Sequence, residues 1–187
     1  MSRPVVLIIT GPPGSGKSTT ARLLSQRFDK AACLESDWFW TTIVKGFVAP
    51  WHPEADPQNR AVLRAVAESA AALAAAGYAV VVEGIVGPWY LGLVTETLAR
   101  DGVEIHYVVL RPDLDVALAR VTSRAGEERV SGHLAAAFLD EGPATHMWEQ
   151  FSDLGPFERH VVDNAGLDAE ATAALVWSRF SEGADRL

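Results

Sequence analysis

Five short apolar runs, separated by longer mixed and alanine-rich segments, organise the chain. They are rich in Val, Ile and Leu with little polar alternation, and they cover residues 5–10, 31–34, 78–82, 105–110 and 160–162. A strand that is apolar on both sides is typical of a parallel sheet covered by helices on both faces. The pattern therefore predicts repeated βα units in a single α/β domain over residues 1–187.

Two of the intervening segments carry a helical period. Residues 17–28 place apolar side chains on one face, and the alanine-rich residues 58–76, which end before Gly77, keep an apolar stripe. Both segments are predicted to be helices that pack against the sheet. Residues 46–57 contain three prolines and are predicted to form an ordered surface loop.

The turn after the first apolar run contains a phosphate-binding motif. "GPPGSGKS" fits G-x-x-x-x-G-K-[ST] between a predicted strand and a predicted helix, which is the context that the motif requires. Lys17 should reach the β- and γ-phosphates of ATP, and the Ser18 hydroxyl should hold Mg²⁺. Prolines at 12 and 13 have no N–H, so the donors to phosphate should come from the residues after them. The predicted nucleotide-binding residues of the loop are Gly11, Gly14, Ser15, Gly16, Lys17, Ser18 and Thr19.

Polar residues follow every later apolar run, at the edge of a parallel sheet where ligands bind. They are Glu35, Ser36 and Asp37, then Glu83, then Arg111, and finally Asp163 and Asn164. Asp37 and Glu83 are favoured as functional residues, because each directly follows a buried strand on the side where the phosphates must lie. Capping of the next helix is the alternative role for Asp37. For Arg111 and Asp163, an ordinary place in a solvated loop is an equally good interpretation.

Aromatic residues gather in the same part of the sequence. Four of the six tryptophans, Trp38, Trp40, Trp51 and Trp89, come soon after the second and third runs. They would suit a pocket for a partly apolar substrate, and they would equally suit the packing of a helical cap. Arg60 could contact an anionic or hydroxylated acceptor, although an exposed arginine near a helix start is the commoner case.

Composition narrows the class of partner. The formal net charge of −8 argues against nucleic acid and against an anionic membrane surface, and it favours a small-molecule partner. Cys33 is the single cysteine and cannot form an internal disulfide, and no signal peptide or membrane-spanning run is evident. We therefore expect a cytoplasmic protein. The histidines lack the spacing of metal ligands, so no zinc site is expected.

With these motifs the chain resembles the small P-loop kinases, the group that includes gluconate kinase, shikimate kinase, adenylate kinase, chloramphenicol phosphotransferase and the zeta-toxin kinases. The resemblance extends over nearly the whole chain and is carried by "GPPGSGKST", "ESDWFW", "VVVEG" and "LRPDLDVALARVTSR". In size and layout the chloramphenicol phosphotransferases and their uncharacterised relatives look most similar.

This resemblance implies a P-loop NTPase fold, a three-layer α/β/α sandwich whose five-stranded parallel sheet has the order 2-3-1-4-5. It also implies a lid over about residues 123–135, an acid facing the acceptor hydroxyl at Asp37, and nucleotide-serving arginines at Arg120, Arg124 and Arg129. In such kinases Arg120 would lie against adenine, and Arg129 would lie against the transferred phosphoryl group.

The sequence thus predicts an ATP- and Mg²⁺-dependent kinase that phosphorylates a hydroxyl of a small molecule, such as an antibiotic or a sugar acid. Two features argue against other P-loop classes. Gly84 follows Glu83 where motor-type ATPases carry a second acid, and the N-K-x-D guanine signature of GTPases does not occur. The predicted catalytic residues are Lys17, Asp37 and Arg129, the metal ligands Ser18 and Glu83, and the acceptor-binding residues Asp37, Trp38, Arg60 and Glu83. A nucleoside monophosphate kinase and a non-catalytic ATP-binding regulatory module are the alternatives.

Overall fold

All five predicted strands form one parallel sheet in the order β2-β3-β1-β4-β5. In the computed structural model the described residues are 4–124 and 141–187. The strands are β1 Val5–Thr10, β2 Ala31–Glu35, β3 Ala79–Glu83, β4 Glu104–Leu110 and β5 Val161–Val162. The α/β class and the strand order expected from the resemblance are confirmed.

Helices connect the strands and cover the sheet. They are α1 Lys17–Ser25, α2 Ser36–Thr41, α3 Asp56–Ala75, α4 Pro88–Ala99, α5 Leu114–Arg124, α6 Glu141–Gln150 and α7 Ala169–Ser181, with 3₁₀ turns at Pro53–Ala55 and Gly155–His160. The helix α1 ends before residue 28, because the Arg27 N–H donates to the Leu24 carbonyl, three residues back, at 3.0 Å. The helix α3 starts two residues earlier than predicted, with Pro57 in its first turn, where a missing N–H leaves no helical bond unmade.

The central strand β1 has apolar side chains on both faces of the sheet, and helices bury both. Val6 and Ile8 face a core shared with α3 and α4, whereas Leu7 and Ile9 face a second core shared with α1 and α7. All four side chains are almost fully buried. Because β1, β2 and β3 run parallel, their carboxyl ends lie along one edge of the sheet. The phosphate loop, Asp37 and Glu83 therefore meet there.

Candidate functional site

The phosphate loop is held in shape by packing against α5. Gly14 has a φ of 77°, and a Cβ at this position would collide with the Ala117 carbonyl oxygen. The Ser15 N–H donates to the Pro12 carbonyl at 3.2 Å, and the first helical bond of α1 runs from the Thr20 N–H to Gly16. The N–H groups at the start of α1 precede that bond and point out of the helix. A helix start with free N–H groups is able to bind an anion.

Lys17 lies between the phosphate loop and the acidic strand ends. Its Nζ donates to the Pro12 carbonyl at 3.4 Å, across the mouth of the loop. Its charge also acts on the carboxylates of Asp37 and Glu83 and favours the charged form of each. A single ammonium group therefore links the phosphate site to both predicted acids.

Glu83 is a buried carboxyl group at the end of β3, with only 4% of its surface exposed. Burial raises its pKa to about 7, and the charges of Asp37 and Glu35 add to that shift, while Lys17 and a hydrogen bond with Ser18 oppose it. A buried carboxylate beside a serine hydroxyl is a suitable pair of oxygen ligands for Mg²⁺. No group of three acidic, His or Cys side chains in residues 4–124 and 141–187 could enclose a metal ion. Ser18 and Glu83 would therefore leave most ligand positions to water and phosphate oxygens, as Mg²⁺ prefers.

The neighbouring strand end is fixed by a close backbone approach. Gly84 has a φ of 151°, and a Cβ there would collide with the Ser36 hydroxyl oxygen. Ser36 is fully buried and begins α2. The contact therefore sets how near α2 comes to the end of β3.

Asp37 is the second residue of α2 and lies at the edge of a pocket. Glu35 occupies the N-cap position, and Asp37 therefore does not cap this helix. The side chain of Asp37 is exposed, yet the crowded walls of the cleft partly desolvate it and raise its pKa, while Lys17 opposes that shift. Because water still reaches this carboxylate, the rise in its pKa corresponds to a smaller free energy than the rise at the buried Glu83.

The pocket beside Asp37 is lined mainly by apolar and aromatic side chains. Its walls include Trp40, Asn59, Leu63, Trp89 and Tyr90. Trp38, in contrast, is 70% exposed and donates from Nε1 to Glu35 Oε2 at 3.1 Å. Of the predicted acceptor-binding residues, the structure brings Asp37 to the pocket and leaves Trp38 outside it.

Arg60 lies near the pocket but is engaged by its own helix. Its Nε donates to Asp56 Oδ2 at 2.8 Å, and its guanidinium stacks 5.9 Å from the ring centre of Tyr90. Two further candidates have structural partners. Arg111 makes a bidentate ion pair with Glu158, in which Nη1 donates to Oε1 at 2.8 Å and Nη2 donates to Oε2 at 2.9 Å. Asp163 accepts a turn hydrogen bond from the Ala165 N–H at 2.9 Å.

A second cleft adjoins the other side of the phosphate loop, and sequence reasoning assigned Asn164, in its wall, no role. Asn164 Nδ2 donates to the Ser15 carbonyl at 2.9 Å, while Asn164 Oδ1 and Ser15 Oγ are buried and have no hydrogen-bond partner among residues 4–124 and 141–187. Arg120 also lies in this cleft and donates to the carbonyls of Asn164 and Leu167 at 3.1 and 3.4 Å. The position of Asn164, two residues after β5, was the signal that could have indicated it. Two unpartnered polar atoms next to the loop suit a polar ligand such as a nucleotide.

The remaining lid predictions concern parts of the chain that the structure does not describe. Residues 125–135, Arg129 and the side chain of Arg124 lie outside the described residues. In residues 4–124 and 141–187, no helix is both long enough and apolar enough to span a bilayer.

The model of the AAA domain family matches residues 6–146, three quarters of the chain. The chain belongs to this family. No curated protein matches it. Among solved structures, it is similar to the tunicamycin resistance protein of Deinococcus radiodurans, with a TM-score of 0.64, 21% identity, and coverage of 95% of this chain and 96% of that chain.

Two kinases have the same fold. The APS kinase of Mycobacterium tuberculosis, in complex with AMPPNP and APS, has a TM-score of 0.67 and 19% identity, over 97% of this chain and 99% of that chain. A gluconokinase from Sinorhizobium meliloti has a TM-score of 0.65 and 19% identity, over 98% of this chain and 97% of that chain. The fold is therefore that of the small P-loop kinases.

Proposed function

We propose that this protein is an ATP- and Mg²⁺-dependent kinase that phosphorylates a hydroxyl group of a small molecule bound beside Asp37. One observation carries the proposal: Lys17 lies between the phosphate loop and two carboxylates, and the exposed one lines a pocket of its own. A nucleotide site and an acceptor pocket that share a boundary are what phosphoryl transfer requires. Membership of the AAA domain family and the fold shared with kinases support the same conclusion.

The phosphate loop supplies binding and charge. The Lys17 ammonium group and the first N–H groups of α1 bind the phosphates, and they stabilise the negative charge that spreads over the phosphoryl oxygens. A Mg²⁺ ion held by Ser18 and Glu83 would neutralise further charge on the β- and γ-phosphate oxygens. Asn164 and Arg120 line the adjoining cleft, which we assign to the nucleoside part of ATP.

The reaction needs a group that accepts the proton of the attacking hydroxyl. As the new bond between the acceptor oxygen and the γ-phosphorus forms, the bond from that phosphorus to the β–γ bridging oxygen breaks, and its electron pair leaves with ADP. The proton passes to the Asp37 carboxylate and then to water. A pKa above the usual range for Asp makes this carboxylate a better base near neutral pH.

A product screen tests the proposal. The protein is incubated with ATP, Mg²⁺ and pooled hydroxylated metabolites and antibiotics, and mass spectrometry searches for a molecule heavier by one phosphoryl group. We expect a product with the wild-type protein and with the control Lys30→Ala, which changes the lysine directly before β2, and none with Lys17→Ala. Tight ATP binding by calorimetry without a product from any pool would favour a regulatory module and contradict the kinase proposal.

A further inference from the structure

Three polar side chains of the pocket beside Asp37, those of Trp40, Asn59 and Tyr90, already have partners within the protein. Asn59 Nδ2 donates to the Pro50 carbonyl at 2.8 Å and to Tyr90 Oη at 3.4 Å, and Asn59 Oδ1 accepts from Trp40 Nε1 at 3.4 Å. The Tyr90 hydroxyl in turn donates to Asp56 Oδ1 at 3.0 Å. Because Asn59 is 96% buried, this network holds the two aromatic rings rather than offering hydrogen bonds to a ligand.

The rest of the lining is apolar, apart from Asp37 itself. Leu63, Ile85, Trp89 and Met147 complete the walls, and no Lys or Arg of the described ranges lines this pocket. Arg60, at its edge, is paired with Asp56. The pocket therefore presents one carboxylate against a largely apolar surface.

We infer that the acceptor is an uncharged molecule with a hydroxyl group at one end and a flat apolar or aromatic body. The inference rests on the proposed function and names the substrate class of the same site. The hydroxyl would meet Asp37, and the body would pack between the rings of Trp40, Trp89 and Tyr90. A carboxylate or phosphate in this pocket would face the Asp37 charge and leave water without a cationic partner among the described lining residues, and burying an unpaired charge is costly. Sugar acids and nucleoside monophosphates are therefore poor acceptors for this pocket.

Three small probes separate the effect of charge from that of the aromatic ring. They are 3-phenylpropane-1,2-diol, the anionic 3-phenyllactate, and propane-1,2-diol, which has no ring. Each is titrated into the nitrogen-15-labelled protein without ATP, and the indole N–H signals are followed by NMR. We expect the phenyl diol to shift the signals of Trp40 and Trp89 and to bind at least tenfold more tightly than the other two. The signal of Trp177, which packs with Phe28 on the opposite sheet face, should not move.

Two variants test whether binding takes place in this pocket. Met147→Arg puts a cation into the lining and should weaken the phenyl diol at least tenfold while reducing its advantage over 3-phenyllactate. The matched change Gln150→Arg, at an exposed position of the same helix, should leave both affinities unchanged. Trp89→Ala removes a ring that is already 44% exposed, so it should weaken the diol without unfolding the protein. Equal or tighter binding of 3-phenyllactate by the wild-type protein, or no shift at Trp40 and Trp89, overturns the inference.

The same samples with ATP and Mg²⁺ separate this inference from the kinase proposal. If the phenyl diol binds the pocket with the expected selectivity but no phosphate ester forms with it or in the product screen, the kinase proposal fails while the ligand class stands. If the product screen instead yields a phosphorylated sugar acid or nucleotide, the kinase proposal stands and the inference about the acceptor is wrong.

Discussion

Replacing Glu83 with glutamine should stabilise the protein when neither nucleotide nor Mg²⁺ is present, and the gain should grow with pH. In the folded state the pKa of Glu83 is about 7, against 4.5 for the ordinary group. Between pH 4.5 and about 7, the Glu83 carboxyl group keeps its proton in the folded protein and releases it in the unfolded chain. The free energy of unfolding of the wild type therefore falls as the pH rises from 4.5 to about 7. Glutamine does not titrate, so the free energy of unfolding of the variant does not fall for this reason.

The size of the effect follows from the two pKa values. Their difference corresponds to about 3 kcal/mol, fully expressed at pH 8 and nearly absent below pH 4.5. For a chain of this length that amounts to roughly 6 to 12 °C in Tm. Because Glu83 is 96% buried, solvent screening removes little of this free-energy difference.

Urea unfolding at pH 5, 6, 7 and 8, in the presence of EDTA, measures the gain directly. Glu96→Gln, which removes a carboxylate at an exposed position of α4, is the matched control. The reasoning is refuted if Glu83→Gln lowers stability at pH 8, or if its effect is the same at every pH. Either result would mean that the protein compensates the Glu83 charge well enough to keep it ionised.

Further predictions concern the proposed reaction. Glu83→Gln should also lower the affinity for ATP at least tenfold when Mg²⁺ is present, whereas the affinity measured in EDTA should change little. Calorimetry with and without Mg²⁺ checks this prediction. An equal loss of affinity in both conditions would remove Glu83 from the metal site. Lys17→Ala should reduce ATP affinity and turnover together, and unchanged binding would contradict the phosphate-loop assignment. Asp37→Asn should leave Mg²⁺–ATP binding and Tm nearly intact but slow single-turnover transfer by about 10² to 10⁴-fold, and full activity would exclude Asp37 as the base. Arg129→Ala should slow transfer more than it weakens ATP binding, and equal losses would place Arg129 in ground-state recognition instead.

The parts of the fold that sequence predicted well are those with a strong local cause. Buried parallel strands need apolar residues on both faces, so their five runs stand out from the chain. The phosphate loop is recognisable because its backbone shape demands glycine at fixed positions such as Gly14, and because Lys17 follows at a fixed distance.

The parts that sequence could not predict depend on geometry between distant segments. Asn164 contacts Ser15 across 149 residues of chain, and the strand before it is only two residues long. Which of Trp38 and Trp40 lines the pocket depends on where α2 begins. With Ser36 as its first residue, Trp40 lies one turn later and turns inward, whereas Trp38 turns to solvent.

The contact between Gly84 and Ser36 joins two segments that each carry an acid of the site. A side chain at 84 would push α2 away from the end of β3, and a larger residue at 36 would do the same from the other side. In other members of the family these two positions should therefore covary, with a small residue retained at both wherever the spacing between the acids is kept. A pairing of small residues at 36 and 84 would then mark relatives that share this acceptor geometry, including those in which the acid at 83 has been exchanged for another.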